Sequence, residues 1–362
     1  MDVPAEELAI PKNGAHTSQR RATCVALGKN KKTVKVEGNR PEEFLPTLRG
    51  STLAWINFVV DDISIEGEGI ATSLGFSQAI VTTLLSSYQS NYEDREAELG
   101  IRVPAVSPDG MDVRVYPLVI LIRKGVILSI HETAITRLVN FSRYAETFMR
   151  KIKPDFEWQD KVTLLLWRIL DENNSKNFDH LRGIEEQADR LVKELMDPKT
   201  PRDILGPYIY KMKHALIVYL DALWATLDVI NTLRYGDAET LTDDKELLDR
   251  ISALSNNVTT QISISEHMSE VLASGLEVLQ SIYNNQLQIL NNRLALVVTW
   301  LTVLGTAVLV PNTLATIFGM SVIADNVDGG ALILILIVST VLAIIGSFWF
   351  VTKAGMMPKH VE

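Results

Sequence analysis

From Leu294 to Phe318 no side chain carries a charge, and this run constrains the fold more than any other feature of the chain. At about 1.5 Å of helix rise per residue it is longer than a bilayer hydrocarbon core of roughly 30 Å. It therefore predicts a membrane-spanning helix. Read in steps of three and four, Ala295, Val298, Thr302, Gly305, Leu309, Asn312 and Thr316 fall on one stripe that is small or polar over most of its length. Such a stripe suits close helix packing or a wetted pore wall.

A second apolar run, Ala331 to Val351, is also long enough to cross. Only SVIADNVDGG separates the two, which predicts an antiparallel transmembrane hairpin. That loop, 321–330, contains Asp325 and Asp328, which are placed to attract cations, and no Lys or Arg. Arg293 precedes the first span, and Lys353 and Lys359 follow the second. The positive-inside rule then puts both termini in the cytoplasm of a multi-pass protein of the cell (inner) membrane.

The rest of the chain is large enough for a soluble core. A formal charge of −9 with no concentrated basic face excludes nucleic acid as a partner. Cys24 is the only cysteine, so no intrachain disulfide framework is expected. Residues 1–21 are polar and lack an apolar signal core, and they are expected to be a flexible tail. The first span would then serve as its own insertion signal.

Domain by domain, residues 22–153 read as an α/β domain. Short β-type runs occur at Thr23–Leu27, Thr33–Val36 and Leu53–Val60, a helical stretch covers Gly67–Ser87, and Val113–Ile120 pairs with Val126–His131 through a turn at Arg123-Lys124-Gly125. Residues 154–240 read as helices at Trp158–Asp171 and Phe178–Met196, then, after a break from Pro198 to Pro207, a third carrying Met212 to Ile230. Residues 241–293 form a helical stalk that begins near Thr242 and continues into the first span, 294–320. A helix from Leu247 to Phe318 would be about 108 Å long. Its apolar stripe, Ile251, Leu254, Val258, Ile262, Met268, Leu272, Leu276, Leu279, Tyr283, Leu287 and Leu290, predicts self-association in a symmetric assembly. Between Ile251 and Asn292 there is no Lys or Arg, only Glu266, Glu270 and Glu277, so a ring of such helices would enclose an acidic, Asn- and Gln-rich funnel. The second span covers 331–352 and a cytoplasmic tail 353–362.

The hairpin resembles that of the CorA-type divalent cation channels, whose first span ends in an aromatic-Gly-Met-Asn signature. Phe318-Gly319-Met320 matches the first three positions, and Ser321 stands where the family has Asn. Asn292-Arg293 and Leu301-Thr302 are similar to the family's pattern at the cytoplasmic mouth. The family's Pro-x-Thr is displaced, with Pro311 and Thr313 one residue late and Asn312 in place of the Thr. Trp55-Ile56-Asn57, read as opening the helical part of the α/β domain, adds to the resemblance. The chain is thus identified as a divergent member.

The resemblance implies an α+β membrane protein assembled as a homopentamer in lipid, with the first span lining the pore and the second facing lipid. Thr302, Asn312 and Thr316 would offer neutral oxygens to a hydrated ion, Gly305 would expose backbone, and Val298 and Leu309 would form apolar constrictions. Gly319, Met320 and Ser321 would form the outer mouth. The transported ion would be Mg2+, with no cofactor beyond a divalent cation as cargo and regulator. Two alternatives stay open: transport of zinc or another transition metal on the same fold, and a non-conducting oligomeric scaffold or sensor. Enzyme readings fail on their motifs. His131-Glu132 lacks a second His, Gly67-Glu-Gly69 lacks a third Gly, and no Gly-Lys-Ser/Thr loop occurs. His180, His214 and His267 read as packing or surface residues.

Overall fold

The computed structural model describes residues 21–87, 90–109, 112–196, 202–235, 238–319 and 329–353. The chain divides into two compact units, Met1–Gly275 and Leu276–Glu362. The N-terminal tail predicted for residues 1–21 lies, but for Arg21, outside the described residues, as does the tail predicted for 353–362 apart from Lys353.

Seven strands form the sheet of the first unit: β1 (Ala22–Gly28), β2 (Thr33–Gly38), β3 (Ser51–Val60), β4 (Asn91–Arg95), β5 (Glu98–Asp109), β6 (Asp112–Arg123) and β7 (Val126–Glu132). Their order is β2-β1-β3-β7-β6-β5-β4. Every neighbouring pair is antiparallel except β3 with β7. A parallel pair needs a crossover, and the chain between β3 and β7 supplies it. It contains α2 (Ile63–Ser73) and α3 (Gln78–Ser86), after the short α1 (Leu45–Arg49) that precedes β3.

Alternation along β3 decides what covers each face. Ala54, Ile56 and Phe58 join Ile63, Ala71, Ile80 and Leu84 in one core under α2 and α3. Trp55 points the other way and meets Phe141 of α4 (Thr136–Arg150), ring centroids 4.8 Å apart. Trp55, Ile56 and Asn57 therefore sit inside a strand, and the helical part opens at Ile63. The helical stretch predicted from Gly67 to Ser87 is made of two helices, the first of which starts at Ile63. They break where Gly75 adopts a φ of +87°, a conformation that L side chains rarely take.

The helical layer opposite α2 and α3 begins with α4 on β1, β2 and β3, and α5 (Trp158–Asn174) on β3 and β7. After α6 (Asn177–Met196) comes α7 (Arg202–Tyr235), which packs on β5 and β6. Pro207 lies within the first turns of α7 rather than before it, which corrects the predicted break. The segment Leu205–Tyr235 is apolar enough to cross a membrane, with a mean hydropathy of 1.4, but half of that window is buried in the protein. Its buried side chains, Leu216, Leu223 and Ile230 among them, belong to the core of the first unit.

The buried His131 belongs to the same architecture. Trp55 Nε1 donates to Ser129 Oγ at 2.9 Å, Ser129 Oγ donates to Asn57 Oδ1 at 2.7 Å, and His131 Nε2 lies 3.1 Å from that same oxygen. Desolvation lowers the imidazole pKa to about 4, against the opposing pull of the Glu132 carbonyl. The pair His131-Glu132 thus ends a strand of the core.

Candidate ion-conduction pathway

The pathway predicted from sequence runs along α8 (Lys245–Phe318), a single helix of 74 residues. Its start is fastened to α5. The Thr242 hydroxyl donates to Asp160, the Thr242 amide donates to Thr163 Oγ1 at 3.0 Å, and Asp244 Oδ1 accepts from the Leu247 amide at 3.1 Å. The last of these is a cap, satisfying one of the amides that a helix start leaves free.

The first part of the stalk's apolar stripe is covered within the protomer. Ile251, Leu254, Val258, Ile262, Met268 and Leu272 are all buried within the single chain. Ser255 Oγ donates to Asn231 Oδ1 of α7 at 2.9 Å, and Asn177 Nδ2 of α6 donates to Gln261 Oε1 at 3.2 Å. The chain covers this part of the stripe itself, whereas Tyr283, Leu287 and Leu290 further along the same stripe are exposed and stay open to a second copy. Periodicity shows that a face is buried without showing what buries it. The exposed side of the stalk bears Asn256, Thr260, Ser263, His267, Glu270 and Ser274, and further along Asn284, Asn285, Gln288 and Asn292 are exposed as well.

Within the charge-free segment, Thr299 and Val303 are the buried positions, at 9% and 7% exposure. The predicted stripe lies on a different side. Ala295, Val298, Thr302, Leu309, Asn312 and Thr316 are exposed and Gly305 is half-buried. A Cβ added at Gly305 would meet nothing within 4 Å, so packing inside the protomer does not require glycine there. Thr302 Oγ1 donates to the Val298 carbonyl and Thr316 Oγ1 to the Asn312 carbonyl, each at 2.8 Å. With its proton committed, each hydroxyl presents only acceptor lone pairs outward, which suits a cation and its water shell.

The Asn312 carboxamide has no hydrogen-bond partner among the described residues. Pro311, inside the helix, has no N–H to donate to the Ala307 carbonyl, so one backbone oxygen is released a turn below Asn312. Sequence reading missed this acceptor, although Pro311 was its signal. Thr306 and Thr313 were also left out of the stripe; their hydroxyls donate to Thr302 and Leu309 carbonyls.

Gly319 ends α8, its amide donating to the Ala315 carbonyl at 2.9 Å. Met320, Ser321, Asp325 and Asp328 lie outside the described residues. The last helix, α9 (Gly329–Lys353), begins two residues before the predicted second span and has a mean hydropathy of 2.8 over its most apolar window. Lys353 Nζ stands 4.6 Å from the Trp349 ring centroid, an aromatic and basic pairing suited to a membrane interface. Among the described residues no three His, Cys, Asp or Glu side chains are grouped to hold a metal ion.

Comparison with known proteins agrees with this architecture. The family described as CorA-like Mg2+ transporter protein matches residues 50–353. The CorA magnesium transporter from Methanocaldococcus jannaschii is similar in structure at 20% identity and a TM-score of 0.65, over 93% of this chain and 98% of that one. The full-length CmaX protein is similar at 15% identity and a TM-score of 0.61, over 93% of this chain and 99% of that one. The ZntB cytoplasmic domain from Vibrio parahaemolyticus RIMD 2210633 is similar at 13% identity and a TM-score of 0.53, over 74% of this chain and 100% of that one. At these identities the structural likeness concerns the fold. No curated protein sequence matches the chain.

Proposed function

The chain belongs to the CorA-like Mg2+ transporter family, and from that premise we propose that it conducts divalent cations, Mg2+ first among them, through a pore lined by the 294–318 segment of several copies. The observation that carries this reading is Asn312, a carboxamide exposed and, among the described residues, unpartnered in the last third of a charge-free span. In hydrocarbon such a group is costly, and water or an ion's hydration shell relieves it.

Two spans per protomer cannot enclose a water-filled hole, so the pore requires several copies, five by the family resemblance, around a common axis. Mg2+ gives up its water reluctantly, and a wall of hydroxyl and carboxamide oxygens holds the hydrated ion without stripping it. Ala295, Val298, Thr302, Gly305, Leu309, Asn312 and Thr316 are the proposed lining. Gly319, Met320 and Ser321 form the proposed outer mouth, with Asp325 and Asp328 raising the local cation concentration. The exposed Asn, Gln and Glu residues of α8 line the cytoplasmic approach, and both termini lie in the cytoplasm.

A softer ion is the second reading. It is supported by His267 and Glu270, three residues apart on the exposed side of the stalk, a spacing that brings their side chains together. Flux into liposomes loaded with a Mg2+-, Zn2+- or Co2+-sensitive dye separates the readings. Mg2+ uptake above the other two supports the first, a Zn2+ preference supports the second, and no uptake of any ion would leave only an oligomeric scaffold. In the same assay Ser321→Asn, which restores the longer carboxamide of the family signature, is expected to sharpen Mg2+ preference.

A further inference from the structure

The first unit contains a cleft of about 230 Å3 where the start of α4 meets the end of β5 and the junction of α5 with α6. This is below the roughly 300–1,000 Å3 of pockets that take drug-sized ligands, so it suits a small ion or a compact polar molecule. The basic groups on its wall are Arg137, Lys176 and His180, and Thr136, Ser107 and Asn140 add hydroxyl and amide donors.

Arg137 is the unusual member. Its side chain is buried, with 9% of the residue exposed. Nη2 donates to the Val106 carbonyl at 2.6 Å and lies 3.5 Å from His180 Nδ1; Nη1 donates to Asn177 Oδ1 at 3.2 Å and to the Asn173 carbonyl. All of these partners are neutral. Among the described residues no carboxylate forms an ion pair with this guanidinium, and only the field of Glu172, without a bond, partly offsets its charge. That arrangement is expensive unless something negative completes it.

The one acid on the wall does not complete it. Glu172 accepts from the Tyr144 hydroxyl at 2.6 Å and from Arg168 Nη2 at 2.9 Å, sharing that guanidinium with Asp171, and it reaches Arg137 through space rather than by a bond. Lys176, exposed on the rim, adds a second positive charge. The opening of α4 adds a partial one, since Ile135 offers no side-chain cap and the first turn contains no acid. Desolvation and the nearby Arg137 lower the His180 pKa to about 4, so this imidazole is neutral near pH 7 and leaves room for an anion's own proton.

We propose that this cleft binds a small phosphate-bearing anion, held by the field of Arg137 and by direct bonds from Lys176, Thr136 and Ser107. Two cations, hydroxyl donors and a helix start converging on one small cavity match a tetrahedral oxyanion better than a planar monocarboxylate. The proposal rests on the first unit alone and does not depend on which ion the chain conducts.

Isothermal titration of the full chain in detergent with inorganic phosphate tests it, with acetate and chloride at equal ionic strength as controls. Saturable binding of phosphate is expected, weakened about tenfold or more by Lys176→Glu with an unchanged melting temperature. Lys176 is exposed and its side chain makes no hydrogen bond or ion pair among the described residues, so the variant should fold. A cleft that takes up no phosphate, that binds acetate equally well, or whose affinity ignores Lys176→Glu would overturn the assignment.

Discussion

Asn177 of α6 and Gln261 of α8 meet side chain to side chain at 3.2 Å, and they are exposed by only 2% and 1%. The bond joins the long helix to the domain beneath it, in a place where water cannot replace a lost partner. The two residues are not equivalent, however. Asn177 Nδ2 also donates to Asn174 Oδ1 at 3.0 Å, and its Oδ1 accepts from Arg137.

Gln261→Leu should therefore cost about 1 kcal/mol, because the Asn177 amide keeps its second acceptor. Asn177→Leu should cost about 2–3 kcal/mol, since it deprives a buried guanidinium of an acceptor as well. Denaturant midpoints of the full chain in detergent rank the two variants. The reverse order would mean that the cluster is not organised around Asn177.

Acid stability should follow His131. Its pKa is about 4 in the folded chain against 6.5 for the free side chain, so the unfolded state binds the proton more readily. The neutral ring's contribution is complete above pH about 6.5, is lost as the pH falls towards about 4, and amounts to at most about 3 kcal/mol. His180, shifted in the same direction, adds to the slope. His131→Gln should flatten the curve of unfolding free energy between those two pH values. A slope that stays the same would assign the acid lability to other groups.

Much of this architecture was legible in the sequence where a local signal and the global fold agreed. The turn at Arg123-Lys124-Gly125 is one case, since Gly125 sits at a φ of +72° with the Thr52 carbonyl 3.0 Å from where a Cβ would be. The long α8 is another, because no proline precedes Pro311. The β4 and β5 strands were missed because Asn91–Arg95 is almost wholly polar and β5 contains Pro104 and Pro108, which cannot donate to a ladder. In the sheet Pro104 pairs with Pro117 of β6, and the Pro104 carbonyl takes its bond from Asn173 Nδ2 at 3.0 Å. Helix α4 also went unread, as its sequence is polar on average and only Leu138, Phe141, Ala145 and Met149 mark the buried side. The partner of the stalk's apolar stripe was out of reach for another reason. Leu254 or Val258 would show the same spacing whether α7 or a second copy covered it.

Gly305 separates packing within the protomer from packing between protomers. Because an added Cβ meets no atom within 4 Å, Gly305→Val should leave the protomer's own fold intact, with about 0.3 kcal/mol gained in helix propensity. In the assembled pore the same side chain would intrude on a narrow wall. Cation flux in liposomes should fall at least about tenfold while the oligomer seen by light scattering is retained. Unchanged flux would place Gly305 away from the ion path.

Asn312 gives the most direct test of the pore. If its carboxamide faces water and passing ions, Asn312→Leu replaces a hydrated oxygen with an apolar side chain of similar size. With Leu309 one turn below, the two would make a continuous dry collar that resists wetting. Mg2+ flux should then drop by more than about tenfold. Asn312→Ser, which keeps an oxygen on a shorter side chain, should retain most of it. The alternative is that Asn312 bonds to a neighbouring helix and contributes only to assembly. In that case both variants would weaken the oligomer before they changed the flux of whatever oligomer remained. Measuring flux per intact assembly distinguishes the two outcomes, and a normal flux through assembled Asn312→Leu would remove this residue from the pore wall.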